Sequence, residues 1–330
     1  MALFVRSFRK KSLQIMQIAY HASHEQFSPS ELLRYVQHAE LAGFDAIHSS
    51  DHFHPWSERQ GQSGFSFAWI AAAMQATSIP FSMVCAPGQR YHPAIVAQAI
   101  ATIAEMFPSR YSIELGSGEA INESITGDPW PSKEQRDQRL LECVSVIREL
   151  LSGKEVSFKG LVSIKDATLF TLPKELPPLF CAAISEETSG WAGQWADGLI
   201  TTAGDPHEVE HKMNAFAVHG GKDKPVYAQY CFSFGSTKEE AINGAHDQWR
   251  SNMLPKEKLA DLHTTEEFDE ASLIISMEDV AQQIPIITQL SQMKQLINEY
   301  KDIGIQRLIL HNVNRNQEEF IRAFGEWQKG

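Results

Sequence analysis

Short apolar segments alternate with amphipathic ones along almost all of this 330-residue chain, and that alternation restricts the fold more than any other feature. Residues 16–22, 44–50, 79–85, 111–115, 178–183, 198–202, 225–234 and 307–311 read as strands, each short and apolar. Helices are expected at 28–42, 93–107, 133–151, 188–195, 238–249 and 317–327. The first of these has Ser28 or Ser30 as N-cap and Gly43 as its stop. Strands mostly followed by helices, about eight times over, predict a parallel sheet that closes: one (β/α)8 TIM-barrel domain spanning residues 1–330. The stretch from about 253 to 294 is too long for one strand–helix unit and reads as a helical insertion. The rival architecture is a doubly wound open sheet binding a dinucleotide. Gly116-Ser117-Gly118 lacks the further glycine and the ribose-binding acid which that fold requires.

The formal charge of −12, with no stripe of Lys or Arg, argues against nucleic acid as a partner. Arg6, Arg9, Lys10 and Lys11 read as a ragged basic N-terminus, since the apolar run of a signal peptide is missing. No apolar run reaches the roughly eighteen residues that span a membrane. Cys85, Cys143, Cys181 and Cys231 are scattered without a C-x-x-C pair, which suits free buried thiols in a reducing cytoplasm.

In a barrel of this kind, polar residues just past the strand ends are where chemistry collects. Strand 44–50 runs into Ser50-Asp51-His52-Phe53-His54-Pro55-Trp56, an acid, two imidazoles and an indole within a few residues. Asp51 and His52 are neighbours in an extended chain, so one can face the mouth while the other anchors the loop. His52 is suited to proton transfer near neutral pH. Strand 111–115 opens into Gly116-Ser117-Gly118-Glu119 with Asn122 three residues on, a glycine loop at a helix start. Glu119 also has a plainer reading, as a first-turn carboxylate facing the helix dipole. His52 and His54 form an H-x-H pair, but the lysine and further histidine of a barrel hydrolase are missing from later strands, so no metal is expected.

Together, SDHFHPW, FSFAW (65–69), RYHPAIVAQAIAT (90–102) and GSGEAINE resemble the luciferase-like flavin and deazaflavin oxidoreductases, above all the coenzyme F420-dependent glucose-6-phosphate dehydrogenase group. The resemblance runs from about residue 17 to 320. It implies His52 as proton acceptor or donor at the substrate and Glu119 at the edge of the cofactor ring. It implies Asp51, Ser117, Gly118, Asn122, Ile184 and Ser185 around the cofactor, and a cis peptide at Met83-Val84 behind the ring. Trp56 and Thr202 would line the substrate pocket. Where the group's sugar-phosphate enzymes carry cations, this chain has Asp205, Gln283 and Leu259, so a sugar phosphate is not the expected substrate. Ile184-Ser185 replaces the group's Gly-Gly, with Glu186 and Glu187 following, which favours FMN over F420.

The main expectation is therefore a cytoplasmic, homodimeric flavin-dependent oxidoreductase, a monooxygenase where the reduced ring, supplied by a separate NAD(P)H–flavin reductase, reacts with oxygen. The alternatives are an F420-dependent dehydrogenase of a hydroxyl substrate, a non-catalytic flavin-binding protein, or a metal-dependent hydrolase.

Overall fold

The computed structural model describes residues 16–329; the basic cluster at Arg6, Arg9, Lys10 and Lys11 lies outside them. Eight parallel strands close into a barrel, each pairing with the next: β1 (Gln17–Ala22), β2 (Ala46–Ser49), β3 (Phe81–Cys85), β4 (Tyr111–Leu115), β5 (Leu179–Ala182), β6 (Gly198–Ala203), β7 (Val226–Phe234) and β8 (Arg307–Asn312). The ring is completed by β8 against β1, where Gln17 faces Arg307. Helices α1 (Pro29–Ala42), α2 (Ser66–Ala76), α3 (Pro93–Met106), α4 (Lys133–Leu151), α5 (Glu186–Gly193), α6 (Pro206–Phe216), α7 (Lys294–Asp302) and α8 (Gln317–Lys329) surround it. The expected TIM barrel is present.

Local sequence accounts for the boundaries. Ser28 and Glu31 form a capping box at the start of α1, and Gly43 ends it at φ +94°, a left-handed conformation that a side chain would resist. α5 starts two residues earlier than periodicity suggests, because the Ser185 hydroxyl accepts from the Thr188 N–H and caps it. Of the helices around the barrel, α2, α6 and α7 are not among those read from the sequence, α7 beginning where the expected insertion ends. α2 is apolar on most sides and shows no helical stripe, while α6 is polar apart from a few buried positions. An antiparallel hairpin of Val156–Lys159 with Ser163–Ala167 was also unforeseen. The insertion between β7 and α7 is mostly helical, with segments at Lys256–Asp261, Thr265–Ala271 and Met277–Gln283.

The main core lies between strands and helices. Phe44 stacks on Phe324 with centroids 3.7 Å apart, and Tyr20 and Phe320 close the same cluster. Each fully buried ring there contributes about 1.5–3 kcal/mol of burial free energy. The lumen carries a separate, small layer of Ala19, Ala46, Ile200 and Ile309. At Gly198 an ideal Cβ would sit 2.4 Å from the Phe180 ring, which stacks on Tyr227. Gly198→Ala therefore overpacks the barrel and should cost about 1–3 kcal/mol, read as a lowered thermal midpoint.

Candidate functional site

The loops that follow β1, β2 and β4 converge on His52. Asn122 fixes the ring: its Oδ1 accepts from the backbone N–H of Phe53 (2.9 Å) and of His54 (3.3 Å), so its amide nitrogen must be the group facing His52 Nδ1 at 3.0 Å. His52 Nδ1 is thus an acceptor, and in the neutral ring the proton sits on Nε2. That nitrogen points at two carboxyls, Glu25 Oε1 at 3.2 Å and Glu119 Oε2 at 3.9 Å. Glu25 was not among the residues singled out from sequence, although it directly follows Ser23-His24 just past β1.

The two carboxyls differ in environment. Burial alone would raise Glu25, but the His52 charge, its own backbone N–H and the hydroxyls of Ser23 and Ser50, each 2.8 Å from Oε2, outweigh it and hold it below the ordinary carboxylate range. Glu119 moves the other way, pushed up by burial with the nearby Glu25 charge adding, against the opposing pull of His52. A little over a third of the Glu119 side chain meets solvent, yet protein surrounds it on the concave mouth and crowds out much of its hydration. An ionised and a protonatable carboxyl on one imidazole is the arrangement that divides base from acid.

Asp51 takes the anchoring place and His52 the open one. The Asp51 carboxylate is 1% exposed, paired with Arg90 Nη2 at 2.9 Å and accepting from the Tyr91 hydroxyl at 3.2 Å. The guanidinium behind the loop thus holds the side chain that the resemblance places against the cofactor ring. Arg90 also lies 3.5 Å from Glu123, so one buried cation holds the loops after β2, β3 and β4 together. A correction concerns Met83-Val84. The described residues contain no cis peptide bond, and β3 keeps an unbroken ladder to β4 through Met83–Ile113, Val84–Glu114 and Cys85–Leu115.

Trp56 stands beside His52, with ring centroids 5.0 Å apart, and packs edge-on against Phe268 of the insertion at 5.2 Å. Leu259, where a lysine was looked for, joins this apolar wall together with Ile121 and Leu254. Asp205 serves as the N-cap of α6, accepting from the His207 N–H. Thr202 is exposed at the end of β6, and its carbonyl accepts from Lys212. His54 makes its contact with the Ile121 carbonyl at 2.8 Å, so it does not stand with His52 as a ligand pair.

A ring cofactor fits what is present at the mouth. Ser117, Gly118 and Glu119 are half-buried beyond β4, with Gly118 at φ +86°. A Cβ at Gly116 would meet only Ala182, 3.8 Å away, so that strip of backbone is open. Ile184 is 47% and Phe53 48% exposed, apolar surface beside polar acid–base groups, as a flat ring with polar edges requires. A cleft of about 720 Å³ between α4, α5 and the hairpin lies to one side and contains none of these groups.

Comparison with known proteins shows the family. A family model described as luciferase-like monooxygenase matches residues 13–307. An F420-dependent glucose-6-phosphate dehydrogenase of Microbacterium testaceum is 31% identical, the match covering 94% of this chain and 96% of the relative. The enzyme of the same name from Tsukamurella paurometabola is 32% identical, with 94% and 96% covered. Among solved structures, an F420-dependent secondary alcohol dehydrogenase in complex with an F420-acetone adduct superposes with a TM-score of 0.86 at 29% identity, covering 94% and 97%. These names favour F420 over FMN, and they lend no support to excluding a sugar phosphate.

Proposed function

From the premise that the chain belongs to the luciferase-like family and is an oxidoreductase, we propose that it oxidises a hydroxyl-bearing substrate with coenzyme F420 as hydride acceptor. The observation that carries this reading is His52 Nε2 facing an ionised Glu25 and a protonatable Glu119. F420, when bound, supplies the redox step. The Glu25–His52 pair is the base for the hydroxyl proton, and Asn122 holds the ring so that Nε2 presents to it. Glu119 exchanges the proton on the cofactor side, and Trp56 walls the substrate against the insertion. Gly116, Ser117 and Gly118 offer backbone to the cofactor, and Ile184 and Ser185 stand at the rim where the chain departs from Gly-Gly.

Titrating the protein separately with F420 and with FMN, followed by fluorescence quenching, tests the cofactor. F420 should bind and FMN should not. Assays of the F420-loaded protein with a secondary alcohol and with glucose 6-phosphate then distinguish the two substrate classes found among the relatives. Tight FMN binding with none for F420 would return the monooxygenase with a separate NAD(P)H–flavin reductase to first place.

A further inference from the structure

The barrel lumen holds a line of titratable side chains that the mouth chemistry does not use. His21, His48 and His311 each stand two residues beyond Ala19, Ala46 and Ile309, the small apolar layer of the lumen. The two-residue period of a strand places all three imidazoles inward, one layer nearer the mouth. His48 Nε2 lies 2.8 Å from Glu114 Oε2, and His48 Nδ1 lies 2.7 Å from His21 Nδ1. His48 and Glu114 are 1% and 0% exposed, whereas His21 keeps 5% and is the member that meets the mouth.

Two ring nitrogens at that distance cannot both carry a hydrogen, and two lone pairs would repel, so one proton lies between them. With Glu114 ionised, His48 Nε2–H donates to it. His48 Nδ1 then accepts from His21 Nδ1–H, and His21 Nε2 keeps a free lone pair. The reverse arrangement is equally satisfied: the Glu114 hydroxyl donates to His48 Nε2, His48 Nδ1–H donates to His21 Nδ1, and His21 Nε2 carries the hydrogen. Both states use the same two hydrogen bonds, and they differ by one proton.

We propose that Glu114, His48 and His21 form a one-proton store beneath the mouth, filled and emptied through His21 Nε2. On filling, an N–H bond forms at His21 Nε2 as the one at Nδ1 breaks. An N–H bond forms at His48 Nδ1 as the one at Nε2 breaks, and an O–H bond forms on Glu114. One proton enters, one negative charge is neutralised, and nothing is oxidised or reduced. The store's use in turnover rests on the proposed hydroxyl oxidation; its existence does not.

The surroundings favour neutral rings. Burial, with His311, His48, His24 and His52 nearby, holds His21 well below the usual imidazole range. His311 lies tilted against His21 with centroids 4.0 Å apart, is itself held down to about 3 chiefly by burial, and accepts at Nδ1 from Gln229. Tyr227, on the lumen side with Glu114 nearby, is raised by burial and stays protonated. Among the described residues, Glu114 Oε1 has no hydrogen-bond partner, so the carboxyl's hydrogen bonding runs through His48.

Imidazole tautomers in the ¹⁵N-histidine-labelled full chain, recorded by NMR across pH without cofactor or substrate, test the store. As pH falls, His21 should pass from Nδ1–H to Nε2–H and His48 from Nε2–H to Nδ1–H at one shared midpoint. Glu114→Gln cannot take up a proton and should freeze both tautomers. His21→Gln, which cuts the mouth end alone, should abolish the His48 switch while the His48–Glu114 contact persists. A ring that becomes a doubly protonated imidazolium, tautomers that never change in the wild type, or a shared step that survives Glu114→Gln overturns the store. In turnover, Glu114→Gln should lower kcat about tenfold at unchanged KM, less than the ~10²-fold loss of a direct acid–base group. Unchanged kcat overturns its part in the reaction. Absence of F420-dependent turnover in the wild type sinks the proposed reaction and leaves the spectra, and the store, standing.

Discussion

Replacing Glu25 with glutamine should lower kcat for hydroxyl oxidation by roughly 10²–10⁴-fold while F420 still binds. Glutamine keeps the shape and can still meet His52 Nε2, but it carries no charge to balance a proton arriving at the ring. Glu25 is 4% exposed and, among the described residues, meets His52 and the two serine hydroxyls, so the substitution leaves the cofactor surface alone. His52→Ala should lose at least as much, because it removes the ring that presents to the substrate. The pH profile carries a further check. Because Glu25 is held below the ordinary carboxylate range, its acid limb lies below that range, and because Glu119 is held above, the limb for losing its proton lies higher. Glu25→Gln should erase the acid limb and Glu119→Gln the other. The sign for stability is the same as for any depressed carboxyl: Glu25 stabilises the fold above its unfolded pKa, and this is lost as pH falls through the folded value. Kinetics with KM unchanged and kcat intact in Glu25→Gln would remove Glu25 from the base.

Arg90→Met should destabilise the protein by about 3–5 kcal/mol, the usual consequence of removing one partner from a buried ion pair. Here the side chains of Arg90, Asp51 and Glu123 are 7%, 1% and 2% exposed, so two carboxylates would lose their shared guanidinium in a dry site. Burial already raises both acids against the pull of Arg90, and losing the guanidinium raises them further. A raised carboxyl contributes stability below its unfolded pKa and loses it as pH rises through the folded value. The variant's deficit in thermal midpoint should therefore be larger at pH 8 than at pH 5. Adding Asp51→Asn and Glu123→Gln should recover part of the loss, since no charge then remains unpaired. Recovery at neither position would mean that Arg90 acts through its packing on Tyr91, 4.3 Å from the ring centroid.

The barrel was legible because strand and helix periods differ and alternate, and β4 and α4 lie where the sequence reading put them. α2 and α6 were not, because neither has a clean apolar stripe, and the tertiary setting alone makes them helices. His52, Glu119 and Asn122 were found from position and motif, and the structure brings them within hydrogen-bonding or near-contact range of one another. Glu25 escaped because its significance lies in a contact made across 27 residues, and a lone glutamate in a polar loop carries no local signal. The direction of the Asp51 side chain was equally invisible: it depends on Arg90, which sits 39 residues away. The expectation of FMN turned on Ile184, Ser185 and the two following glutamates, a short stretch beside a likeness to F420-dependent enzymes over nearly the whole chain.

The apolar wall over His52 has mixed parentage. Trp56 belongs to the barrel loop that carries the acid–base residues, but Phe268, Leu254 and Leu259 come from the insertion. On the proposed function, proton handling and substrate fit would therefore be encoded in separate stretches of chain that meet at one indole. Substitutions in the insertion can reshape what the pocket admits without moving Glu25, His52 or Glu119. A lineage could change its substrate by drift in a short peripheral segment while its redox machinery stays as it was.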